Sequence, residues 1–141
     1  MFLSLGNNVS ASGGNLVVSA TGTDTNTASA VAGSGGVVSG VASKATTRNT
    51  SVTTASVGSG DATHILDVDV MQVNASHQAN FNGKVDSVNA SLVGASGASA
   101  VHSVNATVAA TVANNARINA NDFSLRADNK VRKDWLGAGT G

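Results

Sequence analysis

The chain has no cysteine, no proline and no tyrosine, a single tryptophan at Trp135, and aromatic residues at only 3% of its 141 positions. Each shortage excludes something. Without cysteine there is neither a disulfide framework nor a thiolate metal site. With so few aromatics the 41% hydrophobic content is mostly alanine and valine, which bury little area each, so a thick globular core is out of reach and a narrow one is expected. Charge is scarce as well: 11% of residues, eight basic against eight acidic, with a pI near 6.8. Clustered Lys and Arg of the kind that hold nucleic acid or an anionic membrane surface are missing, so neither is expected as a partner. No apolar run approaches the length of a membrane span, and "MFLSLGNN" lacks the basic region and apolar length of a signal peptide. Low proline, low charge and valine throughout point to an ordered chain despite the abundant Gly, Ser, Thr and Asn. The ending "WLGAGTG" reads as the middle of a pattern, and the chain is expected to be a piece of a longer repetitive one, folding as a single segment over 1–141.

What is present is alternation. In "TGTDTNT" (21–27) threonine occupies Thr21, Thr23, Thr25 and Thr27. A strand turns successive side chains to opposite faces, so this spacing sets hydroxyls and methyls on one face and Gly22, Asp24 and Asn26 on the other. In "VNATVAATV" (104–112) Val104, Ala106, Val108, Ala110 and Val112 form a strict period-two apolar row. Apolar positions do not recur at three and four, and β-branched residues and glycine oppose helix at many places, so strand is the reading despite the alanine.

Three segments resemble one another: "NNVSASGGNLVVSA" (7–20), "GDATHILDVDV" (60–70) and "NNARINANDFSLRA" (114–127). Each opens on a polar turn and closes on an alternating run: Leu16, Val18, Ala20; Leu66, Val68, Val70; Phe123, Leu125, Ala127. Stretches 30–52 and 92–112 form a second related pair. Many short strands, weak repeats and small inward side chains fit an all-β parallel β-helix, or β-solenoid, whose stacked coils bury a thin continuous core. Coils of about twenty residues are expected, some seven in all, giving a rod on the order of 30 Å long. A β-sandwich is the alternative, though it asks for larger residues to fill a core about 10 Å thick.

At "NNARINANDFSLRADNKV" (114–131), with "VNATVAATV" before it, the sequence resembles the repeat region of large secreted bacterial adhesins, the filamentous haemagglutinin-like proteins and the related leukotoxin-like filamentous adhesins. The resemblance covers most of the chain through a loose pattern of small and aliphatic residues. It implies a right-handed parallel β-helix stalk exported across the outer membrane to the cell surface or a biofilm matrix. It carries over no catalytic residue, and the secretion domain such adhesins bear at their N-terminus is not recognisable here.

The polar motifs weigh toward architecture. An ice-binding surface needs its threonine row in every coil, whereas "TGTDTNT" occurs once, and Thr46, Thr47, Thr53 and Thr54 break the alternation. "LDVDV" sets Asp67 and Asp69 on one face within reach of a hard cation, but no calcium-binding nonapeptide surrounds them, so an exposed acidic face is expected. His64, His77 and His102 have no zinc-ligand spacing; His102 is in phase with the inward row of Val104 and Val108. No segment supplies a nucleophile, base and orienting acid. "GSGG" (33–36) and "GSG" (58–60) lack the lysine and spacing of a phosphate loop and read as turns or close-packing points. Sequons begin at Asn8, Asn49, Asn74, Asn89 and Asn105 and are weak signals in so Asn-, Ser- and Thr-rich a chain. "RADNKVRKDW" interleaves Arg126, Lys130, Arg132 and Lys133 with Asp128 and Asp134, a solvated edge with Trp135 as an anchor.

The expected function is therefore that of a non-enzymatic, cofactor-free and metal-free structural or binding segment of a secreted bacterial surface adhesin, a stiff extended stalk. Its partners are neighbouring repeats or identical subunits, and host or cell-surface glycans or proteins, with no nucleic acid and no membrane insertion. The alternative is a self-assembling extracellular β-rich filament subunit.

Overall fold

The computed structural model describes residues 1–58 and 64–140, with side chains except those of Asn89, Leu136 and 138–140. Among these the chain is all strand and turn: β1 (Phe2–Leu5), β2 (Ser10–Ser12), β3 (Asn15–Val57), β4 (His64–Val112) and β5 (Ala116–Thr140). They form one sheet in the order β1-β3-β4-β2, with β5 also on β4. The β1–β3 and β2–β4 ladders are parallel, unlike the antiparallel pairing of a sandwich. Parallel pairing needs a long return connection, and here the long strands themselves supply it.

Partners across the parallel ladders lie 52 to 55 residues apart, Phe2 with Thr54 and Ala11 with Leu66, and the bonds of Asn119 with Asp67, Asn26 with Asn80, and Thr47 with His102 repeat that spacing. The twenty-residue coil expected from the sequence is therefore wrong. The spacing of fifty to sixty residues between similar segments is itself the repeat, and the chain makes far fewer passes than seven.

Strands of 43 and 49 residues exceed the usual length because hydrogen bonding continues while the chain bends. The Asn49 amide reaches Asp24 Oδ2 at 2.9 Å, although a straight strand would put residues 25 apart roughly 80 Å from each other. β3 must reverse between them. β4 reverses too, since the Phe81 and His102 ring centroids are 5.2 Å apart.

The chain divides into two compact units. Unit 1 contains 1–23, 51–78 and 106–130, and unit 2 contains 24–50, 79–105 and 131–141.

Unit 1 has two walls. On one, 10–23 lies beside 64–78, as fixed by Ala11↔Leu66 and by the Asp69 N–H donating to Gly14 O at 2.8 Å; 116–130 follows on the other side, held by Asn119 to Asp67 and Asn121 to Asp69. On the second wall β1 lies beside 54–57, and 106–112 follows, with Ala113 N–H donating to Val57 O at 2.9 Å. Between the walls sit Val18, Ala20, Ala55, Val57, Leu66, Val68, Met71, Val73 and Ala75. Asn8 and Asn115, the second residues of the two "NN" pairs, hold left-handed φ values of 57° and 64° where the chain passes from wall to wall, a conformation Asn tolerates better than most residues.

The inward rows follow the sequence closely. Leu16 is half-buried, Val18 and Ala20 are buried, and Val104 through Val112 face inward on every second residue. One alternation breaks. Leu66 and Val68 are buried, but Met71, at 0% exposure, and not Val70 is the next core residue. The two residues between, Asp69 and Val70, shift the phase by one, as a β-bulge does. The same shift occurs at Gly13–Gly14, both at positive φ, between inward Ala11 and inward Leu16. The true counterparts of Leu16 and Val18 are therefore Met71 and Val73, 55 residues on by the register Ala11↔Leu66, and Leu66 matches Ala11. Phe123 and Leu125 follow Met71 and Val73 at the 52-residue spacing of the Asp67–Asn119 bond, yet stand 50% and 48% exposed, because nothing described covers the far side of β5.

Unit 2 has a thinner interior. Ala28, Ala30, Ala32, Ala79 and Phe81 are buried, with Ser39, Ser43, Ala45, Thr47 and Asn49 on the returning half of β3. Gly36, at φ 127°, lies where β3 reverses, and a Cβ added there would meet nothing within 4 Å. Trp135 is 51% exposed, its ring folded over Gly137.

Candidate functional site

Polar side chains gather in four places. The first is on the outer surface of unit 1. Asp67 and Asp69 project from one face of β4, and the Asn119 and Asn121 amides donate to their Oδ1 atoms at 2.9 and 3.3 Å. Gly13 completes the rim of a depression of about 240 Å³ over this group. The carboxylates are exposed, as the sequence reading has it, but they are bridged by asparagines from β5 that no local spacing reveals. A larger depression of about 500 Å³ adjoins it, lined by Ile65, Leu66, Asp67, Arg117, Ile118 and Asn119. Among the described residues no three His, Asp or Glu side chains converge as metal ligands.

The second place is inside unit 1. His77 is 2% exposed, with Nε2 at 3.0 Å from Ser51 Oγ and Nδ1 at 3.2 Å from Thr53 Oγ1. A hydroxyl on each side of an imidazole is the raw material of nucleophilic catalysis. Here both ring nitrogens are occupied and the ring is sealed from solvent, so no substrate carbonyl can approach; the trio satisfies a buried histidine. Gly22 makes room for it, since a Cβ there would sit 2.6 Å from Thr53 Oγ1 and 2.8 Å from His77 Nδ1. Sequence reasoning found no such group because its members come from strands 24 and 26 residues apart.

His64 forms the third. It is 0% exposed, packed against Gly58, whose φ of +72° and lack of a Cβ admit the ring. Neither ring nitrogen has a hydrogen-bond partner among the described residues. "GSG" (58–60) is thus a close-packing point at Gly58; its last two residues lie outside the described residues, as does the start of "GDATHILDVDV".

The fourth lies in unit 2. Asn49 donates to Asp24 Oδ2 and to Asn26 Oδ1 at 3.3 Å, and Asn26 reaches Asn80 O at 3.5 Å. Nearby, His102 Nδ1 lies 2.6 Å from Thr47 Oγ1 and its ring tilts 58° to Phe81. His102 faces inward as its phase requires. Asn49, turned inward and bonded, is unavailable as a sequon, whereas Asn8 and Asn105 are exposed.

The remaining motifs are surface features. Thr21, Thr23, Thr25 and Thr27 all point to solvent, with Gly22, Asp24 and Asn26 turned inward. Arg126 pairs with Asp128 at 2.7 Å and Lys84 with Asp86 at 3.1 Å, exposed pairs of small energetic weight. Among the described residues no helix is long and apolar enough to cross a membrane. Compared with known proteins, the chain matches no family model, no curated protein and no solved structure.

Proposed function

We propose that the chain is a segment of parallel β-solenoid with a structural, non-catalytic role in a secreted bacterial surface adhesin of the filamentous haemagglutinin-like kind, right-handed as that resemblance implies. One observation carries the reading. Parallel partners recur at 52 to 55 residues on both walls of unit 1, and core-facing side chains superpose row on row, Ala11 with Leu66 with Ile118. That is how a solenoid builds a core, each pass burying the face its neighbour leaves open. The polar groups support the same role, since each of the closest-knit sets is occupied in holding strands together: His77 between Ser51 and Thr53 inside, Asn119 and Asn121 on Asp67 and Asp69 outside.

An adhesin segment of this kind is exported across the outer membrane and displayed at the cell surface. The test places the chain between the secretion domain of such an adhesin and a C-terminal epitope, in a Gram-negative host carrying the cognate outer-membrane pore. The expected result is an epitope accessible to antibody on intact cells, with a protease-resistant chain before it. Retention and degradation in the periplasm would contradict the proposal. The second reading, a subunit of a self-assembling filament, is favoured by the uncovered apolar rows at the ends of unit 1.

A further inference from the structure

Unit 2 has a lateral corner, where β3 turns back near Gly36 and β4 turns back between Phe81 and His102, whose rings meet. The two turns lie side by side: a Cβ on Gly40 would come within 3.4 Å of Ala95 O, and one on Gly94 would run into Ser39 O. At this spacing, the 55 residues that also separate Thr47 from His102, Val37 stands beside Leu92 and Val38 beside Val93. All four project into solvent, Val37 at 74%, Val38 at 76%, Leu92 at 86% and Val93 at 62% exposure. A Cβ on Gly33, Gly35, Gly36 or Gly97 would meet nothing within 4 Å, so the corner is thin and its aliphatic side chains protrude. This apolar crest runs along the side of the stacked passes and not at their ends. A further pass would lie beside Leu92 as β4 already lies beside Val37, a contact that leaves Val37 mostly bare.

Charge and backbone both bear on what covers the crest. Residues 31–48 carry Lys44 and Arg48, both exposed, and no acid, and 87–116 carry no Asp, Glu, Lys or Arg. Unit 2 holds five basic residues against three acidic ones, and unit 1 holds three against five. The neutral count of the whole chain, from which no anionic membrane surface is expected as a partner, conceals this division. The backbone is ready for an apolar phase as well. β3 and β4 are neighbours in one hydrogen-bonded sheet and stay in strand conformation through both turns, so the crest can leave water without stranding amides and carbonyls, the condition for entering lipid. A protein partner fits less well, because interface anchors are aromatic or Arg side chains seated in recesses, and this crest is convex and aliphatic.

We propose that the crest is a membrane-contact site, its Val and Leu side chains dipping into the boundary between headgroups and acyl chains of a bilayer that carries anionic lipid, with Lys44 and Arg48 supplying the attraction to the headgroups. Such a contact would fasten the molecule to a lipid surface, a role beyond that of a stalk, and it depends only on the fold of unit 2.

The test floats the full chain with vesicles of phosphatidylcholine alone and of phosphatidylcholine and phosphatidylserine in equal parts. The wild type is expected to bind the mixed vesicles at least about tenfold more tightly than the neutral ones, the weight of two cations near an anionic surface, and to lose that margin in high salt. Val38→Ser with Leu92→Ser, at positions too exposed to hold the fold, is expected to weaken binding to both vesicles by about tenfold or more. Lys44→Gln with Arg48→Gln is expected to remove the margin for the mixed vesicles and leave the neutral ones unaffected. Hydrogen exchange at the Ala79 and Phe81 amides reads the fold of unit 2 in the same samples. Absence of flotation while those amides are protected overturns the proposal, and so does a Val38→Ser, Leu92→Ser variant that binds as the wild type does. Concentration-dependent self-association that this variant abolishes, without flotation, assigns the crest to a second copy instead and overturns it too. Unprotected amides in the wild type overturn the fold of unit 2 and the contact with it.

Discussion

Met71 and Val70 are chain neighbours with opposite surroundings, and the difference sets the scale on which single residues matter here. Met71 is wholly buried whereas Val70 is half-buried on the other side of the sheet. Met71→Ala is expected to cost about 2–5 kcal/mol, within the range for emptying a core site, and Val70→Ala less than about 1 kcal/mol, both from urea unfolding midpoints. The reverse order would mean that the phase shift after Val68 is wrong. Alternation predicts Val70 inward because a strand pattern shows its period and cannot show where a bulge slips it. Gly22 gives a second test. Its missing Cβ leaves the space in which Thr53 and His77 meet, and Gly22→Ala is expected to lose about 1–3 kcal/mol by overpacking, with no recovery from Thr53→Ser, which keeps the hydroxyl oxygen that the new Cβ meets. An unchanged unfolding midpoint for Gly22→Ala would remove the trio from the core.

At the scale of elements, the strands were legible and their lengths were not. Valine, threonine and strict alternation in 104–112 and 21–27 announce β-structure, and their inward and outward faces stand as the pattern predicts. The pairing distance is another kind of quantity. It depends on where the chain turns, and β3 and β4 turn while staying hydrogen-bonded, with no proline and little to mark the place beyond Gly36 in β3. A twenty-residue coil divides the spacing of fifty to sixty residues between similar segments into two or three passes, and no residue pattern marks that spacing as a single pass. The turns that do carry a signature are the "NN" pairs, at Asn8 and Asn115. Asn8→Gly and Asn115→Gly are expected to be tolerated, whereas Asn8→Val and Asn115→Val should each cost about 1–2 kcal/mol by forcing a β-branched residue into the left-handed region, read again from unfolding midpoints. Gly13 and Gly14, at φ 77° and 70°, make the same argument for the phase shift in the first pass: Gly13→Ala with Gly14→Ala is expected to destabilise by about 1 kcal/mol or more.

For the molecule as a whole, composition foretold the narrow interior: alanine lines unit 2, and one methionine, one leucine and a few valines fill unit 1. The polar clusters were not foretold, because residues such as Ser51 and His77, or Asp67 and Asn119, become neighbours only through the long repeat. The packing of unit 1 depends on that repeat, and the absence of native cysteine makes it directly measurable. Ser4 and Ser56 are paired across the β1–β3 ladder, and neighbouring strands are about 4.8 Å apart, within the span a disulfide bridges. Ser4→Cys with Ser56→Cys, oxidised at low protein concentration and run on a non-reducing gel, is expected to give a cross-linked monomer of altered mobility, with Ser4→Cys paired with Ser76→Cys, which faces outward on the opposite wall of unit 1, as an unlinked control. A control that links as readily, or a Ser4–Ser56 pair that stays reduced, would contradict a repeat of 52 to 55 residues.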